Sequence, residues 1–237
     1  MKLKVLGSSS SGNGYLLYND SECLIIEAGI SCKKAMVEID YNLNIVQGCL
    51  VSHSHGDHAK FIKQYAQRGI KVYSGAETFK DKHHNQKVIK HKDKFKVGGF
   101  SVIALRLTHD VPCLGFIINH KETGKIFFAT DTNFIPYVIP GVNHMMIECN
   151  YDEDVINTNE STPELVDRVI ESHLSLKNCI MFLKEQDLRS VHNVLLLHAS
   201  DLNSNTDHFK LSVNEIYPGN VNIAYRGLEL QINKEIF

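Results

Sequence analysis

The sequence has few of the features that mark membrane, fibrous or disulfide-built proteins. No apolar run among its 237 residues approaches the ~18 needed to span a bilayer. The opening Met1-Lys-Leu-Lys-Val-Leu-Gly7 has too short an apolar core for a signal peptide. A soluble, cytoplasmic protein with no membrane association is therefore expected. The six cysteines, at 23, 32, 49, 113, 149 and 179, form no C-x-x-C pair. Cys23 precedes Leu24-Ile25-Ile26 and Cys49 precedes Leu50-Val51, settings in which a thiol packs as a small hydrophobe. That pattern argues against a disulfide framework or a cysteine zinc site. Internal repeats, low-complexity tracts and long linkers are missing too. With 43% hydrophobic and 22% charged residues, the composition excludes a disordered or collagen-like chain. The length suits one domain over 1–237 with a sizeable core.

Net charge is also small, −2, but it is unevenly spread. Residues 60–96 hold eleven Lys/Arg and three Asp/Glu, which leaves fourteen basic against twenty-four acidic residues elsewhere. Such a segment either binds a polyanion or is a solvated surface whose lysines aid solubility.

What is abundant is histidine, 13 of 237 residues. Placing them needs a coarse reading of the elements. Alternation and turn residues predict strands over 2–6, 15–18, 23–27, 49–52, 70–73, 88–90, 95–97, 100–107, 114–119, 125–129, 145–148 and 194–198. Helices are expected over 33–41, 59–68, 76–82 and 175–186, with a further one opened by Pro163 after Ser161 and Thr162. The segments 221–225 and 228–232 read as a closing hairpin. The mixture suits a layered α/β protein with two sheets inside and helices outside.

The sharpest feature is His53-Ser54-His55-Gly56-Asp57-His58, which follows the strand ending in Leu50-Val51-Ser52. In extended backbone, i and i+2 face one side, so His53 and His55 can bind one ion together. Gly56 permits a sharp turn, after which Asp57 and His58 present a carboxylate and an imidazole. Buried without partners, these groups would cost solvation. Further ligand types stand directly after other apolar strands: His109 after Leu105–Thr108, Asp131 after Ile126–Thr130, and His198 after Val194–Leu197. His83, His84, His91, His120, His144, His192 and His208 lack such contexts.

These motifs resemble a known family. His53-Ser54-His55-Gly56-Asp57-His58 is similar to the H-x-H-x-D-H signature of metallo-β-lactamase-fold hydrolases. Thr108-His109-Asp110 ahead of Gly115-Phe116 resembles their second histidine motif. Thr130-Asp131-Thr132 resembles their bridging aspartate, and Leu195-Leu196-Leu197-His198 their last histidine ligand. Within that superfamily the YycJ/WalJ-like group matches best, on Gly7-Ser-Ser-Ser-Ser-Gly-Asn13, Glu148-Cys149-Asn150-Tyr151-Asp152 and His173-Leu174-Ser175. The likeness runs from Gly7 to about Asn205. Three departures stand out: Glu27 replaces the family's Asp before Ala28-Gly29, Ser172 replaces its Gly before His173, and His198-Ala199-Ser200-Asp201-Leu202-Asn203 stands in place of its His-Leu-Ser.

The resemblance implies a four-layer αββα sandwich with two divalent ions, zinc or manganese, ~3.5–4 Å apart. His53, His55 and His109 would hold one ion and Asp57, His58 and His198 the other, with Asp131 bridging. Asp57 would also orient the attacking water. In ribonuclease-Z-like relatives a histidine at the matching motif protonates the leaving group beside a glutamate. Here these would be His173 and Glu148; otherwise His173 is a surface or capping histidine. Group members are linked to 5′-to-3′ exonuclease action on DNA. The expected partner is thus nucleic acid, DNA ahead of RNA, with 60–96 guiding the strand. The alternatives are a small phosphodiester such as a cyclic nucleotide, or an RNA-processing nuclease. A non-catalytic metal-binding protein fits the complete ligand set poorly. The loop 7–14 is either a phosphate-holding nest or a plain turn. No oligomeric state follows.

Overall fold

The computed structural model describes residues 1–156, 162–200 and 202–235. Its first sheet contains β1 (Lys2–Gly7), β2 (Gly14–Tyr18), β3 (Cys23–Ile26), β4 (Val46–Leu50), β5 (Val72–Ser74) and β6 (Gln86–Val88). The second contains β7 (Lys94–Val97), β8 (Phe100–Leu107), β9 (Cys113–His120), β10 (Gly124–Ala129), β11 (His144–Glu148), β12 (Asn193–Leu197) and β13 (Asn220–Ile223), adjacent in that order. The last strand, β14 (Glu229–Gln231), returns to the first sheet beside β1.

Each strand's period of two sorts its side chains into layers. Leu3, Val5, Leu17, Leu24 and Ile26 from the first sheet face Phe100, Phe116, Phe128, Met146 and Leu197 from the second, and these form the core between the sheets. The alternate residues point outward. On the first sheet, Ile25, Cys49, Val51 and Val72 pack under α1 (Cys32–Val37) and α3 (Ile62–Gln67) through Met36, Tyr65 and Ala66. On the second, Phe127, Ile147, Val194 and Leu196 pack under α6 (Leu176–Lys184) and α7 (Thr206–Asn214) through Phe182, Leu183, Phe209 and Val213. The result is the expected αββα sandwich. Each fully buried Phe or Leu contributes about 1.5–3 kcal/mol, so three apolar interfaces hold the layers. All six cysteines are free and buried, as their apolar neighbours indicated. Among the described residues, no helix is long and apolar enough to cross a membrane.

The closing hairpin is not formed. β13 pairs in parallel with β12, whereas β14 pairs antiparallel with β1, so the two segments join different sheets. The turn between them spans the sandwich instead of folding back. The helix expected over 59–68 is split into α2 (Gly56–Ala59) and α3. The Phe61 N–H bonds the Ala28 carbonyl at 2.9 Å, and the Ala28 N–H bonds His58 O at 2.8 Å. Tertiary bonds thus replace one helical turn. The helix expected over 33–41 stops at Val37, and that over 76–82 shrinks to one 3₁₀ turn, Ala76–Thr78. Pro163 does open α5 (Pro163–Ser172), with Thr162 at the N-cap; Ser161 lies outside the described residues.

Topology places the site. β10, β11 and β12 run parallel, and β8 runs the same way because β9 is antiparallel to both β8 and β10. Their C-terminal ends therefore share one edge. His109, Asp131, Glu148 and His198 all lie at or just past these ends. In layered α/β sheets that edge is where sites assemble.

Candidate metal centre

The segment after β4 is held by residues distant in sequence. The Asn13 N–H bonds Asp57 O at 2.7 Å, and the Asn13 carboxamide lies 3.1 Å from Asp57 Oδ2 and 2.9 Å from His58 Nε2. Glu27, fully buried, accepts the Ser52 N–H and lies 3.5 Å from His58 Nδ1. Glu27 thus orients the histidine loop. Gly29 is obligatory here: a Cβ would sit 1.6 Å from Asp57 O. Ser8 is likewise occupied, bonding the Tyr15 hydroxyl and accepting the His198 N–H at 2.9 Å. The loop at 7–14 is therefore first a clamp on the histidine motif.

Left-handed backbone aims the strand-end residues. Glu27, Asp131 and His198 have φ of 66°, 47° and 54°. Non-glycine residues rarely adopt this region, at a cost of about 1–3 kcal/mol each. The conformation ends each strand and turns its side chain into the crevice.

The side chains converge on three overlapping groups. His53, His55, His109 and Asp131 make the first; Asp57, His58, Asp131 and His198 the second; Asp131, Glu148, His173 and His198 the third. Within each group the donor atoms all lie within 4.8 Å of one another. Asp131 belongs to all three, with Oδ2 3.9 Å from His53 Nε2 and His109 Nε2, and Oδ1 3.2 Å from His58 Nε2 and 3.4 Å from His198 Nδ1. Two donors about 3.3 Å apart are what a tetrahedral ion with ~2.0 Å bonds requires. The cluster also suits a cation by its unmet bonding. His53 Nε2 and His198 Nε2 are buried with no hydrogen-bond partner, and they face Asp131 and Asp57.

The charge states agree with that geometry. Burial holds the His53 and His109 imidazoles below their ordinary pKa, so both are neutral. For His58, burial pulls the same way, but Asp131 and Glu27 overcome it and push its pKa well up. His198 is pushed up to about 10: burial opposes this, and Asp131, Asp57 and Glu148 outweigh burial. Burial raises the Asp57 and Asp131 carboxyls, but His198 and His58 outweigh it and hold both well below the usual carboxylate range. This much buried negative charge demands cations, and metal ions would displace the imidazolium protons.

Supporting residues fix the rings. His109 Nδ1 donates to the Ser172 carbonyl at 2.8 Å, which leaves Nε2 turned toward Asp131. His53 Nδ1 lies 2.8 Å from Ser52 Oγ. The Asn150 carboxamide donates to His198 O at 2.7 Å. Asp110 falls outside the expected set, yet its Oδ1 lies 3.1 Å from His109 Nε2 and 3.4 Å from His55 Nε2. Its position directly after His109 was the only sequence signal for it.

Glu148 and His173 form a separate device. His173 Nδ1 donates to Glu148 Oε1 at 2.7 Å, while Glu148 Oε2 accepts the Thr132 and Leu174 N–H groups at 2.9 and 3.2 Å. Burial raises the Glu148 pKa, but His173 more than offsets this and lowers it. Burial likewise lowers the His173 pKa, and Glu148 more than offsets that and raises it. The neighbouring His198 Nδ1 also lies 3.2 Å from Glu148 Oε1. A cavity of about 490 Å³, lined by His55, Asp57, Asp131, Arg168, His173 and His198 among others, opens over the cluster.

The basic segment 60–96 does not act as one patch. Lys60, Lys63, Lys80 and Lys82 line a cavity of about 470 Å³ that reaches Ser54 and Gly56 of the histidine loop. Lys94 and Lys96 line a different hollow with Lys125, and Lys87 lies on the edge strand β6. Of the remaining histidines, His120 and His144 are buried at the opposite ends of the sheets.

The two-sheet sandwich with its cluster at one edge is the metallo-β-lactamase fold, and the relatives it resembles support a metal-dependent hydrolase. It is 24% identical over 234 residues to exodeoxyribonuclease YycJ of Bacillus anthracis, across 91% of this chain and 89% of that protein. Exodeoxyribonuclease WalJ of Streptococcus pneumoniae is 25% identical over 194 residues, covering 73% and 72%. The crystal structure of the metallo-β-lactamase fold protein YhfI from Bacillus subtilis superimposes with a TM-score of 0.74 at 18% identity, over 97% of this chain and 99% of that one. Residues 1–71 also match the family model of the anti-Pycsar protein Apyc1.

Proposed function

We propose that this protein hydrolyses phosphodiesters with two divalent ions, zinc or manganese, and acts as a 5′-to-3′ exonuclease on DNA. The observation that carries the reading is Asp131, shared by all three four-donor groups, one of which contains the His173–Glu148 pair. His53, His55 and His109 would hold one ion, Asp57, His58 and His198 the other, and Asp131 would bridge. When bound, such a pair lowers the pKa of an attacking water and neutralises phosphoryl charge. Asp57, ionised and partly open to the cavity, orients that water. His173 Nδ1 is committed to Glu148, so its Nε2 is the atom that hands a proton to the leaving oxygen. The raised pKa of His173 keeps that proton available near neutral pH. The relatives named exodeoxyribonucleases support DNA as substrate.

A substrate panel with Mn²⁺ or Zn²⁺ tests the reading: 5′-phosphorylated duplex and single-stranded DNA, RNA, cyclic nucleotides and bis(p-nitrophenyl) phosphate. Shortening of 5′-phosphorylated DNA from that end is expected. Turnover of cyclic nucleotides alone, insensitive to salt, would favour the second reading, a small-substrate phosphodiesterase. The size of the cavity, about 490 Å³, is what keeps that reading open, since it falls in the range of single small-ligand sites.

A further inference from the structure

Beside the candidate metal centre lies a larger groove of about 910 Å³ that the proposed chemistry does not use. The two are contiguous. Ser200 lines both, and the loop 8–12 stands between them, with Ser10 on the metal side and Ser9 and Ser11 on the groove side. Three cations line this groove, each from a different part of the fold. Lys34 comes from α1, which covers the first sheet. Lys210 comes from α7, which covers the second. Arg226 comes from the turn that carries the chain from β13 to β14. Among the described residues that line it, the only carboxylate is Asp207.

Nearby lysines show what an ordinary surface does with such charge. Lys2 pairs with Glu229 at 3.0 Å, and Lys4 lies 3.6 Å from Glu229 and 3.9 Å from Glu38. Among the described residues, no carboxylate pairs with Lys34, Lys210 or Arg226. Three cations against one carboxylate among the described lining residues, gathered from opposite layers in a protein of net charge −2, leave a positive balance that an anion would offset. Tyr225, 62% exposed, stands on the same wall next to Arg226 and offers an aromatic face. Cations that track phosphates beside an exposed ring are the recognition chemistry of a single polynucleotide strand.

We infer that this groove holds a single nucleic-acid strand that continues outward from the scissile phosphate, with Lys34, Lys210 and Arg226 on its phosphates and a base stacked on Tyr225. The inference rests on the nuclease reading but concerns residues away from the chemistry. Such a groove would let the protein prefer a polymer to a dinucleotide.

The test is binding without turnover. Fluorescence anisotropy in Ca²⁺ follows a single-stranded DNA 12-mer, and in a parallel arm an RNA 12-mer, across a salt series. The variants are Lys34→Gln/Lys210→Gln/Arg226→Gln and, separately, Tyr225→Ala, with bis(p-nitrophenyl) phosphate hydrolysis measured for each. For the triple variant, Kd should rise roughly tenfold or more and the log–log salt slope should flatten by about 2, at ~0.7 per lost phosphate contact. Tyr225→Ala should weaken binding about fivefold or more at an unchanged salt slope, since stacking is not ionic. Hydrolysis of bis(p-nitrophenyl) phosphate should persist in both, which shows that the site is intact. A triple variant that binds the 12-mer with wild-type affinity and slope overturns the groove while leaving the nuclease reading standing. A wild-type protein that hydrolyses bis(p-nitrophenyl) phosphate but binds neither 12-mer overturns both. Loss confined to one arm assigns the strand as DNA or RNA.

Discussion

The two ends of the second sheet each bury a histidine, and the two histidines behave in opposite ways. At the start of β11, His144 is 2% exposed, with the Asn193 carboxamide 3.0 Å from Nδ1 and the His192 ring 5.6 Å away. Burial, then His192, pulls its pKa down to about 4. Just past the far end of the neighbouring β12, His198 is 4% exposed, yet carboxylates push its pKa up to about 10 against burial. Burial is common to both, so burial does not mark a functional histidine here. The carboxylates do: Asp57, Asp131 and Glu148 surround His198, whereas His144 has an amide and a second imidazole. A histidine near carboxylates is poised to share cations or protons, and one without them is a packed polar ring.

The contrast can be tested at several depths. The largest effect is expected from Asp131→Ala, which removes the one donor shared by all three groups. Activity on DNA and on bis(p-nitrophenyl) phosphate should both fall by more than the ~10²–10³-fold that one lost transition-state contact costs. Bound metal should drop by elemental analysis. Full metal content with full activity would show that Asp131 is not the shared ligand.

His173→Ala comes next. Metal content and the fold should remain, while cleavage of DNA, with its poor alkoxide leaving group, should slow by ~10²–10⁴-fold. Release of p-nitrophenolate should slow far less, because that leaving group barely needs a proton. Glu148→Gln should repeat the pattern more mildly. Equal losses on both substrates would make His173 a ligand or a support, not the acid.

The start of β11 should report in stability instead of activity. The folded pKa of His144 lies near 4 and the unfolded value near 6.5, so the folded state binds fewer protons between them. Its contribution is therefore fully present above about pH 6.5 and is lost as pH falls toward 4, on the order of 3 kcal/mol in all. His144→Gln should flatten the fall of Tm between pH 7 and 5 and leave activity at pH 7 unchanged. An equally steep fall in the variant would place the acid sensitivity elsewhere.

The smallest effect separates the halves of the basic segment. Lys60→Gln/Lys63→Gln, beside the histidine loop, should reduce the salt slope of single-strand binding by about 0.7 per charge. Lys94→Gln/Lys96→Gln, in the other hollow, should not change it. A wild-type slope for both pairs would mean that 60–96 acts only as a solvated surface.

The amino-acid order by itself determined the layers and the donor types. In Leu3–Val5, Leu24–Ile26 and Ile126–Phe128, the geometry of a pleated strand is enough to separate the inner from the outer faces. The six-residue histidine motif, and His109, Asp131 and His198 each directly after an apolar run, mark candidate donors because unpaired polar groups are costly at such places. Tertiary structure alone decided what depends on separations of tens to hundreds of residues. Asn13 and Glu27 clamp a loop at 52–58, Ser8 bonds His198 across 190 positions, and Lys34 meets Lys210 across one groove. The final two strands went to different sheets because their partners, β12 and β1, lie in different sheets, and no local pattern records that. Local preference is written residue by residue along the chain. Pairing, register and the meeting of charges are set by which surfaces can be buried together, and that is a property of the folded whole.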